Sequence, residues 1–268
     1  MEKFFTKKLN VLWISLLCAA LWGSAFPVLK ISYEKLLIAQ EDIFSKIYFA
    51  GIRFLIASLL VFLAAKFLLR KQIRIQRDQV KPIVLLGLLQ TSLQYFFFYI
   101  GVANTSGVKS AILQSGSTFF TVLAAHFIYQ DDRIDMRKII SLILGFGGIV
   151  FINIGKGFDL HFKLLGEGFL IGTALTSTFA TLFVKEISKK IDSVILTGGQ
   201  MFAGSLFLLA VGKAGMGART LLFNEESLFL LVYASFLSAT AFLLWYTLLK
   251  YNRASELSIY RLFIPVFG

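Results

Sequence analysis

The sequence predicts an all-α membrane protein built as an inverted five-plus-five transmembrane helix repeat, truncated in the ninth helix. Three observations carry this. Apolar residues come in blocks of roughly 20, the helix length that crosses ~30 Å of hydrocarbon. Only 16% of residues are charged and 57% are hydrophobic, whereas about a quarter of a soluble domain is charged. An aromatic helix end, a short polar turn and an apolar helix run from Tyr95 to Phe120, and the same pattern returns from Phe242 to Phe267.

The first block, 9–31, follows MEKFFTKK, a start that resembles a signal peptide. No small-residue cleavage site with a soluble domain behind it is visible, so the block is read as an uncleaved helix. Pro27 predicts a kink in it, freeing a carbonyl near Gly23. Cys18, the single cysteine, excludes an intramolecular disulfide framework. Further spans are expected at 44–68, 80–103, 107–129, 137–155, 165–186, 193–213 and 226–250, with a last one starting near 254.

Basic loop residues orient the chain. With the N-terminus inside, 17 of the 27 Lys and Arg fall on inner segments and eight on outer ones. The loop from Lys66 to Lys81 alone holds six bases against Asp78. The N-terminus is therefore expected in the cytoplasm of a multi-pass protein of the cell membrane. The net charge of +12 has the same origin, and no soluble domain is present to hold nucleic acid.

At an offset of 147, Tyr99 meets Tyr246, Ile112 meets Ile259, Phe120 meets Phe267 and Gln114 meets Arg261; a gap of one residue pairs Asn104 with Asn252 instead. The register is open by that one position. An odd number of helices per copy makes the two copies enter the membrane from opposite sides, as in many secondary transporters with a midplane site. Residues 1–155 form the first copy and 164–268 the second. The same offset carries the second copy to about residue 302, so about one and a half helices are expected to be missing.

LWGSAFPVLK at 21–30, GIRFLIASLL at 51–60, the segment from Asn104 to Phe120, QDDRIDMRK at 130–138, GFGGIVFIN at 145–153 and TLLKYNRASELSIYRLFIPVFG at 247–268 occur in this order. Together they resemble the EamA-type permeases of the drug/metabolite transporter superfamily. The resemblance implies ten helices, both ends cytoplasmic, and export or exchange of small metabolites.

Arg261 is the sharpest candidate for substrate binding. An arginine at depth is costly and usually faces a cavity or a partner. It reads either as an anchor for a carboxylate or phosphate, or as a structural cation paired with Glu256 or snorkelling to the inner surface. Gln114 is the second candidate, on the stripe Ser110, Gln114, Ser117, Thr121, which either lines a pore or packs helices closely. Gln94, Tyr95 and Tyr99 on span three, Trp22 on span one, and Trp245 and Tyr246 on span eight form a candidate amphipathic wall. Of these, Gln94, Tyr99, Trp22, Trp245 and Tyr246 join Arg261 and Gln114 as the proposed substrate-binding set. Thr173, Ser177 and Thr181 on span six read as packing residues. Arg53, nearer the end of its span, reads as snorkelling to the outer headgroups.

His126 and His161 have no ligand or relay partners at close spacing, so neither a catalytic nor a metal site is expected. No phosphate-binding loop is present, and no cofactor is called for. The partners are a small-molecule substrate and the lipid bilayer. The reading is a secondary transporter, an exporter or exchanger of small polar metabolites such as amino acids, bound between the repeats. A polyspecific exporter of hydrophobic cations, an intramembrane enzyme and a non-transporting scaffold are the alternatives.

Overall fold

The computed structural model describes residues 2–68, 70–71, 73–153 and 161–267. Within them the chain is helical, and a one-turn helix at Glu2–Thr6 leads into α1, Lys8–Lys35. Then follow α2, Ile43–Phe67; α3, Arg77–Ala103; α4, Gly107–Ile128; α5, Met136–Asn153; α6, Leu164–Ile187; α7, Ser193–Met216; and α8, Glu225–Tyr251. The last element, α9, begins at Ala254–Tyr260 and continues through a 3-10 turn, Arg261–Phe263, to Ile264–Phe267. All the expected spans are found, with ends shifted by at most four residues; the expected end of the fifth, at 154–155, lies outside the described residues. Seven of the helices are long and apolar enough to cross a membrane.

Short polar side chains start the helices, accepting backbone N–H groups that have no partner within the first turn. Asp42 takes the N–H of Ser45, Ser106 that of Lys109, and Asn224 that of Ser227. Helix α1 runs through Pro27 as one continuous helix. Large apolar side chains such as Trp13, Leu63, Phe179, Phe229 and Phe236 point outward, as a lipid-facing surface requires.

The packing follows the repeat. Helix α2 lies against α7, α1 against α8, and α3 against α6. Helix α4 also meets α6, as α9 meets α1; α3 meets α7, as α8 meets α2. Exchanging α1–α4 with α6–α9 returns these contacts, which is the signature of a two-fold axis relating the copies. The glycines of the central seam fix the register. A Cβ on Gly51 would lie 2.8 Å from Leu209, and one on Gly198 would lie 2.7 Å from Phe62. Each pair becomes the other on adding 147 to the first residue and subtracting it from the second. Only glycine permits helices this close.

The residual ambiguity of one position resolves into an insertion. Helices α3 and α8 have 27 residues each, and both start from a capping box, at Gln76 and Asn224. Both end on an asparagine, Asn104 and Asn252, whose side-chain amide donates to the carbonyl four residues back at 2.8 and 2.9 Å. Here the offset is 148, so Tyr99 corresponds to Thr247 and not to Tyr246. The next helices start after Ser106 and Arg253, at 147 again. The α3–α4 turn is one residue longer than the α8–α9 turn.

One connection carries a titratable cap. Asp192 accepts the Val194 N–H at 2.9 Å and Lys71 Nζ at 2.7 Å. Burial pushes its carboxyl up, but these donors outweigh it and hold the pKa below the ordinary value. A depressed carboxylate stabilises above its unfolded pKa of about 3.9 and loses that contribution as pH falls through the folded value. Asp192→Asn keeps an acceptor for the Val194 N–H but loses the half-exposed ion pair with Lys71, so it is expected to lower the detergent melting temperature by the equivalent of about 0.5 kcal/mol at pH 7. The difference from wild type should begin to shrink below pH ~4 and vanish only below the lower folded pKa, where the wild-type carboxylate is neutral in both states; a pH-independent difference would assign the loss to packing.

Candidate functional site

We call the surface formed by residues 2–8 and the turns after α2, α4, α6 and α8 the amino-terminal face. A cavity of about 1650 Å³ opens there among Lys8, Asp131, Arg137, Lys185 and Arg253 and continues between α4, α5 and α9. Both leading sequence candidates, Gln114 and Arg261, line it. Thr118 donates to the Ser258 carbonyl at 3.2 Å, fixing the α4–α9 crossing. With a residue equivalence of 147, that crossing is centred between Gln114 and Arg261. The two side chains stand at the two-fold axis.

Arg261 is partly buried. One guanidinium nitrogen donates to Ser177 Oγ at 3.2 Å, and Cζ stands 5.9 Å from the Trp22 ring centre. Its Nε is buried without a partner. Glu256, the acid that the structural reading assigned to it, pairs instead with Arg253 at 3.2 Å. No carboxylate among the described residues forms an ion pair with Arg261. A guanidinium with donors left over, beside an accessible cavity, is suited to a two-pronged bond with a carboxylate or phosphate.

The aromatic candidates form a layer beside this group. Trp22 meets Trp245 edge to face at 5.3 Å and Phe242 at 5.5 Å; Phe242 meets Tyr246 at 5.9 Å and Phe54 at 6.4 Å; Phe54 meets Tyr95 at 4.7 Å. Trp245, Tyr246 and Tyr99 are buried in this layer and are not part of the cavity wall. Tyr99 accepts from the Tyr33 hydroxyl at 3.1 Å, and Gln94 accepts from Gln90 Nε2 at 2.6 Å. The structure therefore brings Arg261 and Gln114 to one cavity wall, sets Trp22 against Arg261 outside that wall with Trp245 next to it, and leaves Gln94, Tyr99 and Tyr246 off the wall as well.

Two residues fall differently from their sequence readings. Ser177, on the stripe read as packing, supplies the hydrogen bond to Arg261. Arg53 does not snorkel: it is 2% exposed, the largest fully buried side chain, with Cζ 4.5 Å from the Phe54 ring centre and 5.4 Å from that of Tyr95. The hydroxyl stripes divide. Ser110, Gln114 and Ser117 touch the cavity, while Thr121 and Thr178 join α4 to α6 at 3.3 Å. His126 is structural, its Nδ1 accepting the Ile134 N–H at 3.0 Å.

Both faces carry a buried ion pair. On the amino-terminal face, Asp132 accepts from Lys138 Nζ at 2.7 Å, from the Ser255 N–H at 3.0 Å and from the Ser255 hydroxyl, binding the α4–α5 turn to the start of α9. On the opposite face, Lys109 and Glu167 pair at 2.9 Å, each side chain 8% exposed. Glu167 also takes the Thr105 hydroxyl and the Lys163 N–H, so it ties the α3–α4 turn to the start of α6. The pair joins the copies on that face, beside Gly107 and Val102, where the cavity wall reaches the ends of α4 and α3.

Comparison with known proteins agrees with this architecture. A solved crystal structure superposes with a TM-score of 0.76 over 96% of this chain and 86% of its own, at 15% identity, a likeness of fold. An uncharacterized transporter, YvbV, of Bacillus subtilis is 28% identical over 92% of this chain and 78% of its own length. An uncharacterized transporter of Archaeoglobus fulgidus is 29% identical over 95% and 86%. A protein of Chlamydia muridarum named S-adenosylmethionine/S-adenosylhomocysteine transporter is 23% identical over 72% and 59%. The model of the EamA-like transporter family matches residues 9–154 and 164–268. The chain belongs to the EamA-like transporter family.

Proposed function

We propose that this membrane transporter carries a small metabolite bearing a carboxylate, such as an amino acid, by export or exchange across the cell membrane. The observation that carries the reading is Arg261, at the cavity wall on the two-fold axis with no acidic partner among the described residues. A cation held away from bulk water without a counter-charge is costly, and a bound anion relieves that cost. Gln114, across the axis, offers both a donor and an acceptor to the rest of the ligand. Trp22 supplies an aromatic face. Both compounds in the name of the Chlamydia relative carry an α-amino carboxylate, which supports the same chemistry. The excess of Lys and Arg in the loops of the amino-terminal face supports a cytoplasmic position for it, and on this reading the cavity opens inward. Comparing the metabolites accumulated outside cells with and without the gene tests the substrate class; a cationic drug as the only compound moved would replace it.

The energy source follows from the acids. Glu167 is engaged in its ion pair at the opposite face, while Asp131, Asp135 and Glu256 lie toward the cavity mouth. A proton-coupled exporter of cations alternates proton and substrate on a carboxylate within the pathway. Transport here is expected to follow the substrate gradient as facilitated diffusion or exchange. In proteoliposomes, a pH step alone should drive no net accumulation; uphill movement under that step would refute the scheme.

A further inference from the structure

We propose that Arg53 is a second anion-binding station, which takes the substrate's carboxylate when the site faces the side opposite the amino-terminal face. The inference rests on the reading of Arg261 as the first such station. The repeat itself singles Arg53 out. Its equivalent at an offset of 147 is Gln200, just as the equivalent of Gln114 is Arg261. Each copy thus carries one arginine and one glutamine at these two positions, and the copies carry them in exchanged order.

The two pairs lie at different depths. The α2–α7 seam, with Gly51 against Leu209 and Gly198 against Phe62, is centred near Ala57 and Gly204. Arg53 stands one helical turn, about 5 Å, from that centre toward the opposite face. Gln200 stands one turn toward the amino-terminal face, where its side-chain Oε1 accepts the Thr91 hydroxyl at 2.7 Å. Arg53 thus lies on the side of the seam centre that faces the Lys109–Glu167 pair, which joins the copies at the opposite face.

Arg53 shares with Arg261 its lack of an acidic partner among the described residues, although it is fully buried where Arg261 lines the cavity. Its Nε is buried without a partner, as is that of Arg261. It rests on Phe54 and Tyr95, two rings of the layer whose other end, Trp22, carries Arg261. Tyr33, Tyr95 and Tyr99 close the surroundings, and their phenols supply weak acceptors in place of a carboxylate. A helix-packing role needs no charge here, as Gln200 at the matching position demonstrates. A fully buried guanidinium kept without a counter-ion fits a group that receives one intermittently.

The test maps arginine modification in the intact protein in proteoliposomes, with phenylglyoxal as the reagent and mass spectrometry of the Arg53 and Arg261 peptides. The probe is an equimolar mixture of the proteinogenic amino acids. Arg261 is expected to react and to be protected by the mixture. Arg53 is expected to react slowly, and severalfold faster in Glu167→Gln, which breaks the ion pair at the opposite face; the mixture should protect it too. An Arg53 that stays unmodified in both proteins, or reacts without protection, overturns the proposal while Arg261 stands. Loss of protection at Arg261 overturns the function proposed above, and the Arg53 peptide is scored on its own. Arg53→Gln, with its folding verified by melting temperature, should lower exchange of the radiolabelled mixture by about thirtyfold or more. Arg53→Lys should recover part by restoring charge without the planar fork; equal exchange by all three proteins overturns the proposal as well.

Discussion

Arg261→Gln is expected to lower transport by about two orders of magnitude, the scale of losing one member of a desolvated charge pair, while expression and melting temperature stay near wild type. Stability is spared because the side chain makes a single hydrogen bond, to Ser177, and removing an uncompensated cation relieves desolvation. Transport is not spared, because no other described cation stands with Gln114 at the axis. Arg261→Lys should retain a fraction: its ammonium supplies charge but not two parallel donors. Ser177→Ala should fall between wild type and Arg261→Lys, since Ser177 only orients the guanidinium. Counterflow in proteoliposomes reads all three. Wild-type rates in Arg261→Gln would reduce the residue to a structural cation.

Asp132→Ala is expected to destabilise by about 3–5 kcal/mol, the cost of leaving one buried partner of an ion pair unmatched. Asp132 and Lys138 are only 2% and 5% exposed at their side chains. Asp132 also caps the start of α9 through the backbone and hydroxyl of Ser255. The variant therefore loses the ion pair and a helix N-cap together, and Arg261 lies two turns along the helix thus released. Asp132→Asn should cost less, as it still accepts the Ser255 N–H. Thermal melting in detergent measures the stability loss. Melting temperatures of wild type and Asp132→Ala that coincide would mean that water already reaches the pair.

The spans were legible because hydropathy over 20 residues is set by the bilayer, and tertiary packing alters it little. The asymmetry of loop charge and the recurrence of aromatic helix, turn and apolar helix were equally local. The register was ambiguous by one because the extra residue sits in a turn, where nothing in the sequence separates Asn104 from Thr105 as the inserted position. Arg53 was misplaced for a different reason. Helix α2 is apolar on nearly every side, so its sequence does not reveal which side faces lipid and which faces protein. Ser177 was equally hidden, because Thr173, Ser177 and Thr181 differ only in what stands opposite them. The equivalence of Arg53 with Gln200 lay in the sequence throughout, at the offset that pairs Gln114 with Arg261.

The seam between α2 and α7 has a consequence for how the molecule can move. The two helices interlock along their length, from Phe44 against Gly215 to Phe62 against Gly198, with no room for either to slide. The cavity takes no described wall residue from either helix. The molecule is bound along one edge, like a book whose spine is α2 and α7 and whose margin, held at the Thr118–Ser258 bond, is α4 and α9. Turning the covers alters the angle at the spine only slightly, while the margin travels farthest. Gln114 and Arg261 are printed at that margin, where a small rotation of one copy becomes the largest change in the distance between them.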